Sequence, residues 1–477
     1  MPPRFLFVCS LSVLVPLCRA SSGFRSGEFD NRNAALDTQQ FLLRQNAEVE
    51  NHLSYSALQR NWGAYSPYVP IAEYVAPPEG CEINQVNILQ RHGARYPTAG
   101  PAASMAHAVN KLQNATAFED PKLEFVRDYT WKLGISDLVS FGAAQSLIAG
   151  AEAYQRYEDL VDLDNIPFVR ASGSERVIES ATNWTYGFSA ANGMKYNPVL
   201  SVVLDESGHN NTLHNSCPSI GSPDDQLDTW IGIYTQPIVQ RLNDAAPGAN
   251  LSSEDVYYLM ELCAFESVTL DTVSEWCELF DEDEWKGFEY AMDLDDYYGT
   301  GYGQPLGPVE GVGYINELIA RLTSHPVNDT TQTNSTLDQS PTTFPLNRTI
   351  YADFSHDDQM IAIYSAMGLF KPSGALDPTN PTNPSNELSK RTRTWITSRM
   401  VPFSARLVVE RMRCQDRSPF RKVSEEEYLR VLVNDAVQPL AFCSGVTPEG
   451  VCGVSAFVES QGYATNGGNG DWEKCFE

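Results

Sequence analysis

Positive charge is scarce in this 477-residue chain. Its 33 lysines and arginines stand against 61 aspartates and glutamates, for a formal net charge of −28. No basic stripe exists to neutralise a phosphate backbone, which excludes nucleic acid as a partner. Beyond the first twenty residues no apolar run is long enough to cross a bilayer. The ten cysteines include no C-x-x-C pair, and no internal repeat is present. The glycine-rich stretch "YYGTGYG" is followed by no Lys-Ser/Thr, so it reads as a turn rather than a nucleotide-phosphate loop.

What is present is an ordinary globular composition, 42% apolar and 20% charged, in a chain long enough for a large core and two or three domains. The first twenty residues, "MPPRFLFVCSLSVLVPLCRA", have the layout of a signal peptide. Arg4 precedes an apolar run from Phe5 to Cys18, interrupted by Pro16 and too short for a membrane span, and cleavage is expected after Ala20. Residues 21–50 are polar and read as a propeptide or N-terminal arm. Losing Arg4 and Arg19 with the leader takes the net charge from −28 to −30. That balance fits an acidic medium, where carboxylates are partly titrated, and fits plain solubility equally well. Eight cysteines remain after Cys9 and Cys18 are removed, an even number that reads as disulfides in an exported chain. Cys263 with Cys277 and Cys443 with Cys452 would close short loops; spacing does not pair Cys81, Cys217, Cys414 and Cys475. Asn114, Asn183, Asn210, Asn250, Asn328, Asn334 and Asn347 all stand in N-x-S/T, so a secreted, extracellular glycoprotein is expected, with those sites on its surface.

Along the chain, an aromatic and proline-rich extended wrap, "NWGAYSPYVPIAEYVAPPEGC", leads to a strand in which Val86 and Ile88 alternate with Gln85 and Asn87. The loop "QRHGARYPT" follows. Met105, Ala108, Val109 and Leu112 then fall at helical spacing. The strand–loop–helix order recurs twice. "NIPFVRASGSERVIES" runs apolar to Arg170 and then offers Ser172-x-x-Glu175 as a capping box. "RTIYADFSHDDQMIAIYSAMGLF" runs extended to Phe354, reaches His356 and Asp357, and enters a helix with Ile361, Tyr364 and Met367 on one face. Polar groups thus sit where strands give way to helices, the place where ligands bind in open α/β sheets. Ile315, Leu318, Ile319 and Leu322 form a further helical stripe. Residues 324–349 and 371–393 read as surface loops. "SARLVVERM" and "RVLVNDAVQPL" read as strands, the second turning at Asn434-Asp435.

His92 carries the chemistry. A neutral imidazole is a nucleophile, and Arg91 and Arg95 beside it disfavour a second positive charge, lowering its pKa. The same guanidiniums can grip a phosphate and stabilise charge on its oxygens. On its own, an Arg-His-Gly tripeptide is more often a basic surface turn. The rest of the chain offers Arg170 at a second strand end and His356-Asp357 at a third. Nucleophile, cations and an acid for the leaving oxygen are the parts that phosphoryl transfer needs.

"RHGARYPT", "VRASGSERVIES" and "DFSHDD" together resemble the histidine acid phosphatases. The similarity to fungal phytases extends over nearly all of the mature chain, including "NWGAYSPY", "YYGTGYGQPLGPVEGVGYINELIARLT" and "RVLVNDAVQPL", and is strongest to the basidiomycete phytases, often of the 6-phytase type. The resemblance implies an α/β fold: a phosphoglycerate-mutase-like core sheet with flanking helices, plus a smaller, mostly helical lobe built mainly from about 100–160 and 225–340, all within residues 51–477. It implies attack by His92 on phosphorus, a phosphohistidine intermediate and protonation of the leaving oxygen by Asp357. Phosphate would be bound by Arg91, Arg95, Arg170 and His356, with no metal or other cofactor. It also implies pairing of Cys81 with Cys414 and of Cys217 with Cys475. The substrate class implied is the inositol phosphates, acted on by a monomer that binds neither membrane nor nucleic acid.

Three departures matter. Many relatives have Asn after the His-Asp pair, where this chain has Asp358; it either caps the following helix or adds negative charge that moves the pH optimum down. Ascomycete relatives carry lysines after the RHG loop and before "YYG", where this chain has "AGPAAS" and Asp295-Asp296, so their secondary phosphate contacts do not transfer. His209 and His214 frame "HNNTLH", but Asn210 is a sequon and no third ligand stands nearby in sequence, which argues against a metal site. The acidic run 278–285 reads as a solvated face rather than a calcium loop. The reading is a secreted phytase working at acidic pH. A broad-specificity phosphatase of the same family is the first alternative and a catalytically silent phosphate-binding glycoprotein the second; a mutase ranks below both.

Overall fold

The computed structural model describes residues 57–381, 393–415 and 427–477. The leader and the 21–50 segment lie outside the described residues, as do residues 382–392 of the 371–393 loop. A mixed sheet has the strand order β3–β2–β4–β1–β5–β6–β7. In chain order these are β1 (Cys81–Arg91), β2 (Phe168–Ser172), β3 (Leu200–Leu204), β4 (Ile350–Ser355), β5 (Arg406–Cys414), β6 (Glu427–Val433) and β7 (Ala436–Val437). β1, β2, β3 and β4 run parallel, and β5 joins β1 antiparallel. β1 is central and its last seven residues are buried. Burial therefore takes in the polar Gln85, Asn87 and Gln90 together with the apolar Val86, Ile88 and Leu89.

Two helical layers cover the sheet. Val86 and Ile88 pack with α2 (Ser140–Tyr157) and α3 (Glu175–Ala191) through Ala149, Ala153, Trp184 and Phe188. On the other face Leu89 packs with α8 (Val312–Thr323) and α9 (Asp357–Met367). A separate apolar core joins α1 (Ala99–Gln113), α4 (Asp224–Tyr234), α5 (Gln236–Ala245), α6 (Ser253–Leu270) and α7 (Glu282–Gly299) into the helical lobe. α2 and α8, expected within that lobe, belong to the sheet layers instead, because their apolar faces meet strand residues. No helix among the described residues is long and apolar enough to cross a membrane.

Local expectations met varied outcomes. Asn434 and Asp435 both take positive φ, 48° and 67°, as a two-residue hairpin turn requires. The aromatic wrap begins as two short 3-10 turns, Ala57–Asn61 and Gly63–Tyr65, before becoming extended. Ser172 does not cap α3. It ends β2 and donates to Glu206, while Ser174 occupies the cap position without a capping side-chain bond. The 324–349 loop contains one short helical turn, Ser335–Asp338. The acidic run supplies Asp281 and Glu284 as the capping box of α7, with Glu282 and Asp283 exposed. "YYGTGYG" uses its amides to close the end of α7: Gly301 donates to Asp296 O at 2.8 Å and Gly303 to Tyr297 O at 2.9 Å. The four disulfides are Cys81–Cys414, Cys217–Cys475, Cys263–Cys277 and Cys443–Cys452. Five of the seven sequon asparagines are exposed; Asn183 and Asn334 are half-buried.

Candidate active site

The four parallel strands end at one edge, and each delivers a functional group there. β1 leads into His92, β4 into His356 and Asp357, β3 into Glu206, and β2 through a tight loop into Arg176 on the first turn of α3.

His92 is fully buried, and its backbone is pinned from both sides: its N–H donates to Ser355 O at 3.0 Å, and its carbonyl accepts from Ser404 N at 3.0 Å. The next amides are held as well, Gly93 N by Ser180 Oγ at 3.0 Å and Ala94 N by Gln145 Oε1 at 2.9 Å. Gly93 is required by proximity, since a Cβ there would lie 2.1 Å from Gly142 O. His92 Nδ1 lies 2.9 Å from Gly93 O. A carbonyl only accepts, so Nδ1 carries the hydrogen and Nε2 the lone pair. Nε2 is buried and has no hydrogen-bond partner among the described residues. Burial, then the charges of Arg91, Arg95 and Arg176, hold this imidazole well below its usual pKa, so it stays neutral in acid.

Arginines surround it on an aromatic floor. Arg91 lies 4.6 Å over the Phe403 ring, whose centroid is 6.2 Å from that of His92, and Arg95 lies 5.6 Å over Phe265. Arg91 donates to Ala64 O and Val401 O and reaches Asp357 Oδ2 at 2.5 Å. The Nε atoms of Arg91, Arg95 and Arg176 are buried without partners among the described residues. Other buried arginines share that feature; what distinguishes these three is that all of them act on His92.

The His356 ring lies 5.6 Å from that of His92, edge to face. Its Nε2 meets Glu206 Oε1 at 2.9 Å, and its Nδ1 lies 3.4 Å from Arg176 Nη2. Asp357 begins α9. Burial opposes its charge, but Arg91, Arg95 and His356 outweigh that and keep its pKa low. Asp358 is not a cap, because His356 holds the N-cap position. Burial, then the charges of Asp357 and Asp295, push Asp358 up to about 7. Asp295, half-buried, is pushed up to about 6 by burial and then by Asp357. Asp296 is also raised, by burial and then by Asp295 and Asp358.

Arg170, expected as the third phosphate-binding cation, is elsewhere engaged. It pairs in register with Asp353 across β2 and β4. Its guanidinium is fully occupied by Asp353 at 2.8 and 3.3 Å and Glu317 at 3.1 and 2.6 Å. Two residues inside the strand end, it faces the α8 layer rather than the edge. Arg176 is the cation that reaches the site. The sequence held a signal for it: a cation in the first turn of a helix opposes the helix dipole, so some other charge must hold it there. Glu206, two residues past the end of β3, was missed for want of any motif.

Glu206, His214 and His356 place three donor atoms within 4.8 Å of one another. A dication does not fit there. The Glu206 oxygens already accept from Ser172, Ser174 and His356, and Arg176 abuts the His356 ring. His209 turns away, with Nδ1 2.8 Å from Ser216 O.

The chain is similar to known proteins over most of its length. The family model for the histidine phosphatase superfamily (branch 2) matches residues 82–434. Phytase A of Aspergillus oryzae is 40% identical over 452 residues, 90% of this chain and 93% of that protein. Phytase A of Aspergillus fumigatus is 39% identical over 435 residues, 87% of this chain and 90% of that protein. Among solved structures, the phytase from D. castellii superposes with a TM-score of 0.69 at 22% identity, covering 85% of each chain. The Bifidobacterium longum multiple inositol polyphosphate phosphatase, in complex with inositol hexasulfate, gives 0.62 at 14%, covering 85% of this chain and 98% of that one. These two likenesses show the shared fold. The chain belongs to the histidine phosphatase superfamily, branch 2.

Proposed function

We propose that this protein is a phytase, hydrolysing phosphomonoesters of myo-inositol hexakisphosphate at acidic pH through a phosphohistidine intermediate. The observation that carries the reading is the unpartnered Nε2 of a neutral, buried His92 set among three arginines. An anion entering there finds guanidinium donors already desolvated. Its phosphorus then faces a lone pair whose tautomer is fixed by Gly93 O. Bond formation from Nε2 to phosphorus is matched by loss of the ester oxygen, which leaves with a proton from Asp357. In the free enzyme Arg91, at 2.5 Å, favours the ionised carboxylate. A bound phosphate shares that guanidinium charge and lets Asp357 take up a proton, with protonated Asp358 and Asp295 beside it in acid. Water then attacks the phosphohistidine with Asp357 as base, returning His92 to its starting state.

Choice of phytate over simple esters is supported by the Phytase A relatives. Secretion is supported by the leader-like N-terminus, the four disulfides and the exposed sequons. The described residues of one chain supply the whole cluster, so the reading needs no second copy. The test is phosphate release from phytate compared with simple aryl and sugar phosphates, with chromatography of the first product. Preferential turnover of phytate supports the reading, and initial loss from the 6-position would place the enzyme with the 6-phytases. Equal turnover of all esters would replace it with a broad-specificity phosphatase. Binding without release would replace it with a silent phosphate-binding protein.

A further inference from the structure

Glu206 lies outside the constellation of nucleophile, cations and acid, yet it is the most densely bonded carboxylate at the site. Ser172 Oγ donates to its Oε1 at 2.6 Å, Ser174 N to Oε1 at 2.9 Å, and Ser174 Oγ to Oε2 at 2.5 Å. His356 Nε2 completes the set at 2.9 Å. Ser172 is itself held by Asn211 Nδ2 at 3.0 Å. The two serines of "ASGSER" therefore form a cradle that fixes one carboxylate against one imidazole.

A carboxylate accepts, so His356 Nε2 carries hydrogen and Nδ1 faces Arg176 with its lone pair. In that state the ring can take a hydrogen bond from Arg176 but cannot give one to a phosphate oxygen through Nδ1. Donation to a bound phosphate requires a second proton, taken from solvent, which makes the ring an imidazolium. We propose that Glu206 is a positioning residue: it orients His356 with Nδ1 toward the phosphate, and its charge balances the proton that Nδ1 must take up when phosphate binds. The groups facing His356 show why a counter-charge is needed. Arg176 on α3 disfavours the cation, and the neighbouring rings of His92 at 5.6 Å and His214 at 5.4 Å offer it no counter-charge. Glu206 and Asp357 favour it, and Asp357 is paired with Arg91. Burial pulls the His356 pKa down and the Glu206 hydrogen bond opposes it. Burial also works against the Glu206 charge, but bonds from His356, Ser172 and Ser174 outweigh it and keep the group ionised in acid.

This inference rests on the site being a phosphate site, not on phytate being the substrate. The probe is inorganic phosphate, its binding measured by calorimetry across pH on the full chain. Glu206→Gln keeps an acceptor for Nε2–H and removes the charge. Phosphate affinity should then match the wild type within about twofold near pH 4 and fall away about one pH unit earlier, for a deficit of roughly tenfold by about pH 6.5. Glu206→Asp keeps the charge and should restore most of the wild-type profile. Ser174→Ala should shift it in the same direction as Glu206→Gln, by less, and covers the case in which Glu206→Gln fails to fold. A Glu206→Gln profile parallel to wild type at every pH would overturn the proposal and leave Glu206 a structural residue. So would an Asp variant as impaired as the Gln variant. A wild type that binds phosphate but releases none from phytate would defeat the phytase reading alone.

Discussion

Replacing Arg176 with alanine should cut kcat/KM severely while leaving the fold as stable as before; replacing Arg170 should do the reverse. Arg176 is half-buried, its Nε has no partner, and its nearest polar contact is the His356 ring at 3.4 Å. Burial and the charge of Arg95 both disfavour its cation, so the folded state gains little from it. A bound phosphate would gain one or two charge-assisted hydrogen bonds from it, worth about 1.5–3 kcal/mol in all, or roughly 10- to 150-fold in kcat/KM. Arg170 makes four hydrogen bonds to Asp353 and Glu317, with all three side chains at most 2% exposed. Its loss leaves two buried carboxylates. Asp353 keeps Arg321 at 2.5 Å, and among the described residues Glu317 keeps only the Thr212 hydroxyl at 2.9 Å. Breaking a buried pair in this way costs about 3–5 kcal/mol. The assay is paired: denaturant unfolding for stability and initial rates on an aryl phosphate for kcat/KM, on both variants. A stable but inactive Arg170→Ala, or an Arg176→Ala with wild-type kinetics, would refute the assignment of the third cation.

Three further outcomes follow from the electrostatics. His92 is held well below its ordinary pKa, so it is neutral at any pH above that lowered value; the acid limb of kcat/KM should therefore lie well under 6.5, and loss of activity setting in at about 6.5 would contradict the buried, arginine-flanked imidazole. Asp357→Asn should keep phosphate affinity and slow alkyl phosphates far more than activated aryl phosphates; equal slowing of both would remove Asp357 from the acid role. Asp358 carries a proton below about 7, so Asp358→Asn should leave rates at pH 4–5 unchanged and raise them above about 7, where the wild type gains a negative charge beside an anionic substrate. A variant that differs from wild type mainly in acid would mean that Asp358 is ionised there.

The sequence disclosed the fold through strand and helix periods. β1 and β4 with the residues that follow them, Ile361, Tyr364 and Met367 on α9, and the Asn434-Asp435 turn are all local patterns, and the local physics decides them. What it hid was long-range pairing. Nothing near Arg170 in the chain reveals that Asp353 lies opposite it, 183 residues away, or that Glu317 closes over it. Ser172 matched a capping box by spacing, but its hydroxyl is claimed by Glu206, which lies 34 residues on. The lobe boundaries slipped for a related reason: α2 and α8 have apolar stripes like those of the lobe helices, and periodicity does not say whether a stripe meets a sheet or another helix. Asp358 sat where a cap is common, but it lies two residues past the N-cap, His356.

The central claim is that His92 Nε2 takes the phosphoryl group. The direct measurement is rapid mixing of enzyme with phytate, quenching in alkaline denaturant to preserve a phosphorus–nitrogen bond, and mass analysis of the peptide that contains "QRHGARYPT". The account predicts one phosphoryl group on that peptide, localised to His92, appearing before phosphate is released and absent from His92→Ala, which should be folded and inactive. Release of phosphate with no phosphorylated His92 at any time, or normal turnover by His92→Ala, would contradict it.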